Sequence, residues 1–456
     1  MADPALAISP ARDAAYRILR RVEAGSAFAV DLLQGAPAAG LRDADRRLAT
    51  ELAMGVLRWR GELDYQLEQL SGRSLSYFDP EVAVILRLGI YQIRFLEKVP
   101  KSAAVNESVE LTRAARKQSA AGLVNAVLRR CNPPPWEGLE ARHEGAPDPE
   151  LDAAALRSLP AWLRKRWTAR LGVEKTVALA RASASTPRVS LRVRAERRDE
   201  VRRELAAENV ATRLGAYSDS ALIVESGRVQ ASTAFREGRL AIQDEASQIV
   251  ASLVRPLPGE SVLDLCAAPG NKTAQLAAAL GRGQLVACDV SLRRLQTMRR
   301  LLAGQLPAAT QFLTVCQDAT QPLAVRGTFD RILVDAPCSG TGTLARNPEI
   351  KLRLQPSDLD RLAGVQVRML RTALEALAGA GRLVYATCSL EPEENEEVIE
   401  RACAEEPGFR PLKGDELARE FPALAPLFDP QGYFRTRPDR DGMDGFFAAV
   451  ITRRRN

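Results

Sequence analysis

The stretch Ile332-Leu333-Val334-Asp335-Ala336-Pro337-Cys338-Ser339-Gly340-Thr341-Gly342-Thr343 decides the fold. Its first three residues form an apolar run that reads as a buried parallel strand. A carboxylate stands at the strand's carboxyl end. A proline-fixed turn, a thiol and glycines that let a ligand approach the backbone follow it. Fifty residues after Cys338, a second apolar run, Leu383-Val384-Tyr385-Ala386, leads into Thr387-Cys388-Ser389. Two thiols are thus expected at the carboxyl ends of two strands, where open α/β sheets bind ligands.

Outward from this pair, strands and helices alternate. Strands are predicted over 261–265, 284–288, 312–315, 331–334, 383–386 and 446–451, with helices over 273–280, 292–302 and 393–404. A long helix is predicted over 358–378, opened by a capping box at Ser357 and Asp360 and closed by Gly379. Residues 241–456 therefore read as a doubly wound α/β domain. Residues 1–132 carry apolar residues only at helical spacing and read as a helical bundle. Pro133-Pro134-Pro135 ends it, and residues 133–150 read as a linker. Residues 151–240 read as a small α+β module, with a helix over 156–171 and another over 199–208. Strands are expected over 188–194 and 221–225, with Arg188, Arg192 and Arg194 facing out.

Composition narrows the chemistry. No apolar run approaches the ~20 residues of a membrane span, and no signal pattern opens the chain, so a cytoplasmic location is expected. The only histidine, His143, lies in the linker, which excludes His-based triads and His metal centres. Seven cysteines without a CxxC pair exclude a disulfide framework and a zinc ribbon. Thiols and carboxylates remain as the reactive groups. The net charge is +7, and between Arg157 and Arg203 there are 14 basic and four acidic residues. Such a local excess is the footprint of a polyanion partner, although the three outward arginines could equally be solvated.

The first strand of the α/β domain runs Val262-Leu263-Asp264-Leu265 into Cys266-Ala267-Ala268-Pro269-Gly270-Asn271-Lys272. Small residues after the first strand let the backbone pass close to a ligand. Neither a G-x-G-x-x-G nor a P-loop pattern is present, which argues against a dinucleotide or nucleoside triphosphate. Asp289, ending the second strand, is placed for ribose hydroxyls, and Asp318, after the third, for an adenine edge. An adenosyl ligand without phosphates fits, and S-adenosylmethionine is the obvious one.

The segments Asp264–Thr273, Asp335–Gly342 and Tyr385–Ser389, with Glu394-Asn395-Glu396 beyond, resemble the RNA cytosine-C5 methyltransferases. In the bundle, Leu86–Gln92 and Leu123–Arg129 resemble the NusB-like domain of the bacterial 16S ribosomal RNA methyltransferases of the Sun type, as do Gln243–Ser247 and Asp444–Ala448. The resemblance implies three parts: a NusB-like helical RNA-binding domain, a small α+β module and a Rossmann-like class I methyltransferase domain. It implies Cys388 as the nucleophile and Cys338 as the thiol assisting release. It implies a cofactor site of Cys266, Ala267, Ala268, Pro269, Gly270, Asn271 and Lys272 with Asp289, Asp318 and Asp335. The implied partner is 16S ribosomal RNA, naked or in an assembling small subunit; a monomer without a metal is expected. Cys266, Cys288, Cys316 and Cys403 are then packing residues. The family usually has Gly where Asn271 stands, and Asn tolerates positive φ better than other non-glycine residues. DNA cytosine methyltransferases attack through the Pro-Cys thiol and need one cysteine; the second thiol argues for RNA. A tRNA substrate, or a non-catalytic RNA-binding role, is the alternative at this point.

Overall fold

Alternate residues of the central strands belong to two different cores, as the period-2 geometry of a strand buried on both faces requires. Leu263, Ile332, Val334, Leu383 and Tyr385 pack on one face with residues of helices Pro356–Glu375 and Glu396–Glu405. Val262, Leu333, Val384 and Ala386 pack on the other with helices Glu245–Ser252 and Asn271–Leu280. The strands are buried because both faces are covered, so their sequences read as continuous apolar runs.

The computed structural model describes residues 8–25, 27–134 and 148–454; His143 and most of the predicted linker lie outside them. Four strands form a small sheet: β1 (Ser190–Val193), β2 (Ala211–Leu214), β3 (Ala221–Ser226) and β4 (Leu240–Ile242). Eight form a large one: β5 (Ser261–Asp264), β6 (Gly283–Asp289), β7 (Thr310–Cys316), β8 (Phe329–Asp335), β9 (Leu377–Thr387), β10 (Phe409–Pro411), β11 (Tyr433–Arg435) and β12 (Phe447–Arg453). The large sheet runs β10-β12-β9-β8-β5-β6-β7, with β11 beside β12. Its core from β9 to β7 is parallel, and β12 inserts antiparallel against β9. The strand order reverses direction between β5 and β8. That reversal leaves a crevice at their carboxyl ends, which carry Asp264 and Asp335.

Contacts divide the described chain into two compact units, Met1–Pro187 with Thr343–Leu354, and Arg188–Gly342 with Gln355–Asn456. The first is helical. Helix Pro80–Phe95 is buried at every residue from Val82 to Ile93, so it is the bundle's central helix. The predicted helix over 156–171 is two helices, Pro149–Arg157 and Ala161–Leu171, because Pro160 cannot continue the first and instead opens the second. The segment Thr343–Leu354, directly after the Pro-Cys loop, packs within this helical unit. Buried Lys351 donates to Arg58 O (3.0 Å) and Ser183 O (3.3 Å), and Arg58 Nε donates to Ala345 O (2.8 Å). Burial, with nearby Arg58, pushes the Lys351 ammonium down to about 7.

In the second unit the small antiparallel sheet runs β2-β3-β1-β4. Leu191 and Val193 enter its core with Leu222, Leu240, Val201 and Leu205, as the alternation predicts. Arg192 does not face solvent as expected. It pairs in register with Ala221 and Ala241 on the sheet's second face, its Nε donates to Gln243 Oε1 (2.7 Å), and burial lowers its pKa. Gln248 of helix Glu245–Ser252 covers that strand by donating to Leu191 O (3.3 Å). Arg188 and Arg194 are exposed.

Two further expectations fail in the α/β part. The long helix is capped reciprocally by Gln355 and Asp358, with the Gln355 N–H donating to Asp358 Oδ2 (3.0 Å), not by Ser357 and Asp360. It ends at Glu375, and Gly379 lies inside β9 rather than at a helix terminus. The run Ala378-Gly379-Ala380-Gly381 has helix-ending composition, but it lies between two points where β9 pairs with β8, Leu377 with Phe329 and Arg382 with Arg331, and forms an irregular stretch of the strand.

Candidate active site: a cofactor cleft beside paired thiols

The cleft at the carboxyl ends of β5 and β8 is lined by Ser247, Asp264, the loop residues Cys266 to Pro269, Asn271, Lys272 and Asp335. The loop changes direction at Gly270, whose φ of 107° lies in the left-handed region. A Cβ there would stand 2.6 Å from Met298 Cγ, so both backbone and packing require glycine. Asn271 needs no such conformation, since it is the first residue of helix Asn271–Leu280. That helix presents its N-terminus to the cleft, a position that favours a negative group.

Four carboxylates stand in or near the cleft, each held differently. Asp264 is buried; its Oδ2 accepts from Thr273 Oγ1 (2.7 Å), and its Oδ1 has no partner among the described residues. Burial pushes its carboxyl up to about 7 against the pull of the Thr273 hydrogen bond. Asp335 pairs with Lys272 at 2.7 Å, and the Lys272 ammonium also lies 5.2 Å from the centroid of the Phe446 ring. Burial alone would lower the Lys272 pKa; the charge of Asp335 and its hydrogen bond outweigh that and hold it above its ordinary value. Asp289 is buried at the end of β6 and accepts from Ala268 N (3.3 Å) and Ser291 N (2.9 Å), with Arg294 at 3.2 Å. It therefore holds the cofactor loop at Ala268. Asp318 is exposed after β7 and accepts from Thr320 N (2.9 Å) and Oγ1 (2.8 Å), which lower its pKa. Neither Asp289 nor Asp318 is among the lining residues.

The two thiol loops meet beside this cleft. β8 and β9 are parallel neighbours, with Asp335 opposite Ala386. The loops after them bring Cys338 Sγ and Cys388 Sγ to 3.4 Å. Gly342 N donates to Cys388 O (2.9 Å), closing the first loop onto the second. A Cβ on Gly342 would stand 2.1 Å from Gly445 O, so this contact is one between backbones. The hydrogen bond to Cys388, with burial behind it, holds the Cys338 thiol well above the ordinary range. Of the remaining cysteines, Cys288 is buried in β6 and pushed up to about 12 by burial. Cys266 is likewise raised by burial, so neither is a ready thiolate.

Two groups stand out that the sequence reading assigned no role. Asp264 lines the cleft and has a buried oxygen without a partner among the described residues. Glu394 is buried between the thiol loops. Both occur in the quoted motifs, but a motif does not say which oxygen lacks a partner.

The donor set suits an adenosyl amino acid. The open Asp264 oxygen calls for a donor such as an ammonium, and the helix N-terminus calls for a carboxylate. The family described as 16S rRNA methyltransferase RsmB/F matches residues 251–452, the NusB family residues 9–133, and an RsmF/B-like ferredoxin-like domain residues 159–230. The ribosomal RNA small subunit methyltransferase B of Pseudomonas putida is 36% identical, over 89% of this chain and 90% of the relative. That of Xanthomonas campestris pv. campestris is 33% identical, over 99% and 98%. The crystal structure of a methyltransferase homolog protein from Pyrococcus horikoshii is 28% identical and covers 68% of this chain and all of its own, with a TM-score of 0.56.

Proposed function

The chain belongs to the ribosomal RNA small subunit methyltransferase B family, and from that premise we propose that it transfers a methyl group from S-adenosylmethionine to C5 of a cytidine in 16S ribosomal RNA. The observation that carries this reading is the 3.4 Å approach of Cys338 and Cys388 beside the cleft. One thiol can attack C6 and be expelled again; a second at this separation gives the departing sulfur a proton donor of its own.

C5 of cytosine is a poor nucleophile. Addition of a thiolate at C6 turns the ring into an enamine-like species whose C5 takes a methyl group. Cys388 Sγ is the attacking atom in this reading. When bound, S-adenosylmethionine supplies the electrophilic methyl group. Asp264 Oδ1 would receive its ammonium, the start of helix Asn271–Leu280 its carboxylate, Asp289 its ribose hydroxyls and Asp318 its adenine edge. Asp335, held by Lys272, would orient the cytosine edge and offset charge on the ring. The C5 proton must then leave, the C5–C6 double bond reform and Cys388 depart. The C5 proton passes to water, and Cys338 Sγ, held as a thiol and in contact with Cys388, is within reach to donate its proton to the Cys388 sulfur as the C6–S bond breaks.

The RNA partner is read from the basic surplus and the NusB-like unit, so affinity should fall steeply with salt. The decisive test is mapping 5-methylcytidine in 16S ribosomal RNA from cells with and without this protein. One modified cytidine should disappear without it. An unchanged 16S pattern, with loss in a tRNA instead, would overturn the substrate assignment.

A further inference from the structure

We infer that Glu394 is a positioning residue that sets the spacing of the two thiols, by gripping with one carboxylate the residue that follows each of them. Ser339 follows Cys338, and Ser389 follows Cys388. Glu394 Oε1 accepts from Ser339 N (2.8 Å), and Oε2 accepts from both the Ser339 hydroxyl and Ser389 Oγ (2.5 Å). The two hydroxyl oxygens are 3.1 Å apart. The carboxylate is fully buried, so none of these bonds competes with water.

The grip is itself anchored. Gln366 Nε2, from the long helix, donates to Glu394 Oε1 (3.1 Å) and to Pro337 O (2.9 Å), holding the Pro-Cys loop on its other side. Tyr385 OH donates to Glu394 O (2.6 Å). The adjacent Asn395 accepts from Thr387 Oγ1 (2.6 Å) and donates to Ser389 O (2.9 Å), so Cys388 is held at both shoulders. Two loops that are 50 residues apart in sequence thus share one acceptor. Without it, the residues next to the two thiols would keep only the Ser339–Ser389 hydroxyl contact, and the loops would be joined farther along, by Gly342 N to Cys388 O (2.9 Å) and Leu390 N to Thr341 Oγ1 (2.9 Å). Burial raises the Glu394 pKa while its hydrogen bonds pull it down. Paired sulfurs at fixed separation behave as reactants at high effective concentration, and a loose pair loses that advantage.

This inference rests on the proposed function only for its consequence in turnover; the spacing is measurable without RNA. The full-length protein is equilibrated with oxidised and reduced dithiothreitol, and the Cys338–Cys388 disulfide is quantified by mass spectrometry. Each disulfide formed converts one oxidised dithiothreitol to its dithiol. Glu394→Ala should lower the effective concentration of the thiol pair about tenfold or more. It should lower kcat by a similar or larger factor, with KM for S-adenosylmethionine within about twofold of wild type. Glu394→Gln keeps the shape, and the two serine hydroxyls can turn to accept from its amide. It should recover both readouts to within about threefold. If Glu394→Ala does not fold, Ser389→Ala removes a single grip and should move both readouts the same way by a smaller factor. Unchanged disulfide equilibrium in a folded variant overturns the inference. So does a Gln variant as impaired as Ala, or a loss of cofactor affinity that matches the loss of kcat. A wild-type protein with a tight thiol pair and no methyl transfer would instead overturn the proposed function and leave the clamp standing.

Discussion

The cofactor cleft and the thiol site share one end of the sheet, but their polar groups are met in opposite ways. In the cleft, Asp264 keeps a buried oxygen without a partner among the described residues, and the helix beginning at Asn271 has no side-chain cap there. On the thiol loops, Glu394 has both oxygens occupied, and Ser339, Ser389, Thr387 and Asn395 are all hydrogen-bonded; the unmet acceptor there, among the described residues, is Gln366 Oε1, on the helix behind Glu394. Leaving a buried acceptor unmet costs roughly 1–3 kcal/mol. Among the described residues both regions carry one such acceptor, but in the cleft it belongs to a lining carboxylate, Asp264, and near the thiols to the amide of Gln366 on the long helix, while the groups on the thiol loops themselves are met. The cleft is shaped to be completed by a ligand, and the thiol site is complete before the ligand arrives, as preorganised catalytic groups need to be.

Breaking the thiol site should leave the cleft intact. Cys388→Ala should lose about 10⁴-fold or more of turnover, as nucleophile removal does where covalent attack is obligatory. Calorimetry should find its S-adenosylmethionine affinity unchanged. Weakened cofactor binding in this variant would show the two regions to be one. Breaking the cleft should have the smaller, opposite effect. Asp264→Asn should weaken cofactor binding by one to two decades, the worth of one charge-assisted hydrogen bond of roughly 1.5–3 kcal/mol. Wild-type affinity in the Asn variant would remove Asp264 from the cofactor site.

The same substitution sharpens the comparison through pH. Asp264 titrates at about 7 in the fold, above the 3.8 of a free carboxyl. Between those values the folded state holds a proton that the unfolded chain does not. Stability of the ligand-free protein therefore falls as pH rises from about 4 through 7. Asp264→Asn should remove that slope, so its Tm relative to wild type should rise between pH 5 and pH 8. The expected size is about 2–4 °C for each kcal/mol relieved. A Tm difference independent of pH would mean that Asp264 is charged throughout.

Much of this was legible in the chain. Strands such as β5, β6 and β8 are apolar runs ending in Asp, and burial on both faces leaves them no other composition. The cofactor loop and both thiols follow from strand ends. Short strands were not legible: β2, β4, β10 and β11 have three or four residues and take their conformation from their neighbours' backbones. Gly379 reads as a helix stop, because local propensity cannot see that β9 pairs with β8 on either side of it, at Leu377 and Arg382. Arg192 reads as outward by alternation, because the helix covering its face lies more than 50 residues later. The segment Thr343–Leu354 carries Lys351 and Arg353, which look like surface residues. Its Lys351 is buried because backbone carbonyls of Arg58 and Ser183 receive it. Glu394 was visible as a letter in a motif, but its four hydrogen bonds to Ser339, Ser389 and Gln366 join three separate stretches.

The central claim is that the two thiols divide attack from release. It is tested most directly by incubating wild type, Cys338→Ala, Cys388→Ala and the double variant with 16S ribosomal RNA and S-adenosylmethionine, then separating the products on denaturing gels. Cys338→Ala should complete attack and methyl transfer but fail to release, leaving a slow-migrating protein–RNA band that resists heat and detergent. Cys388→Ala and the double variant should give none. A band in Cys388→Ala and none in Cys338→Ala would reverse the roles, and a Cys338→Ala protein with slow turnover and no band would reduce Cys338 to packing.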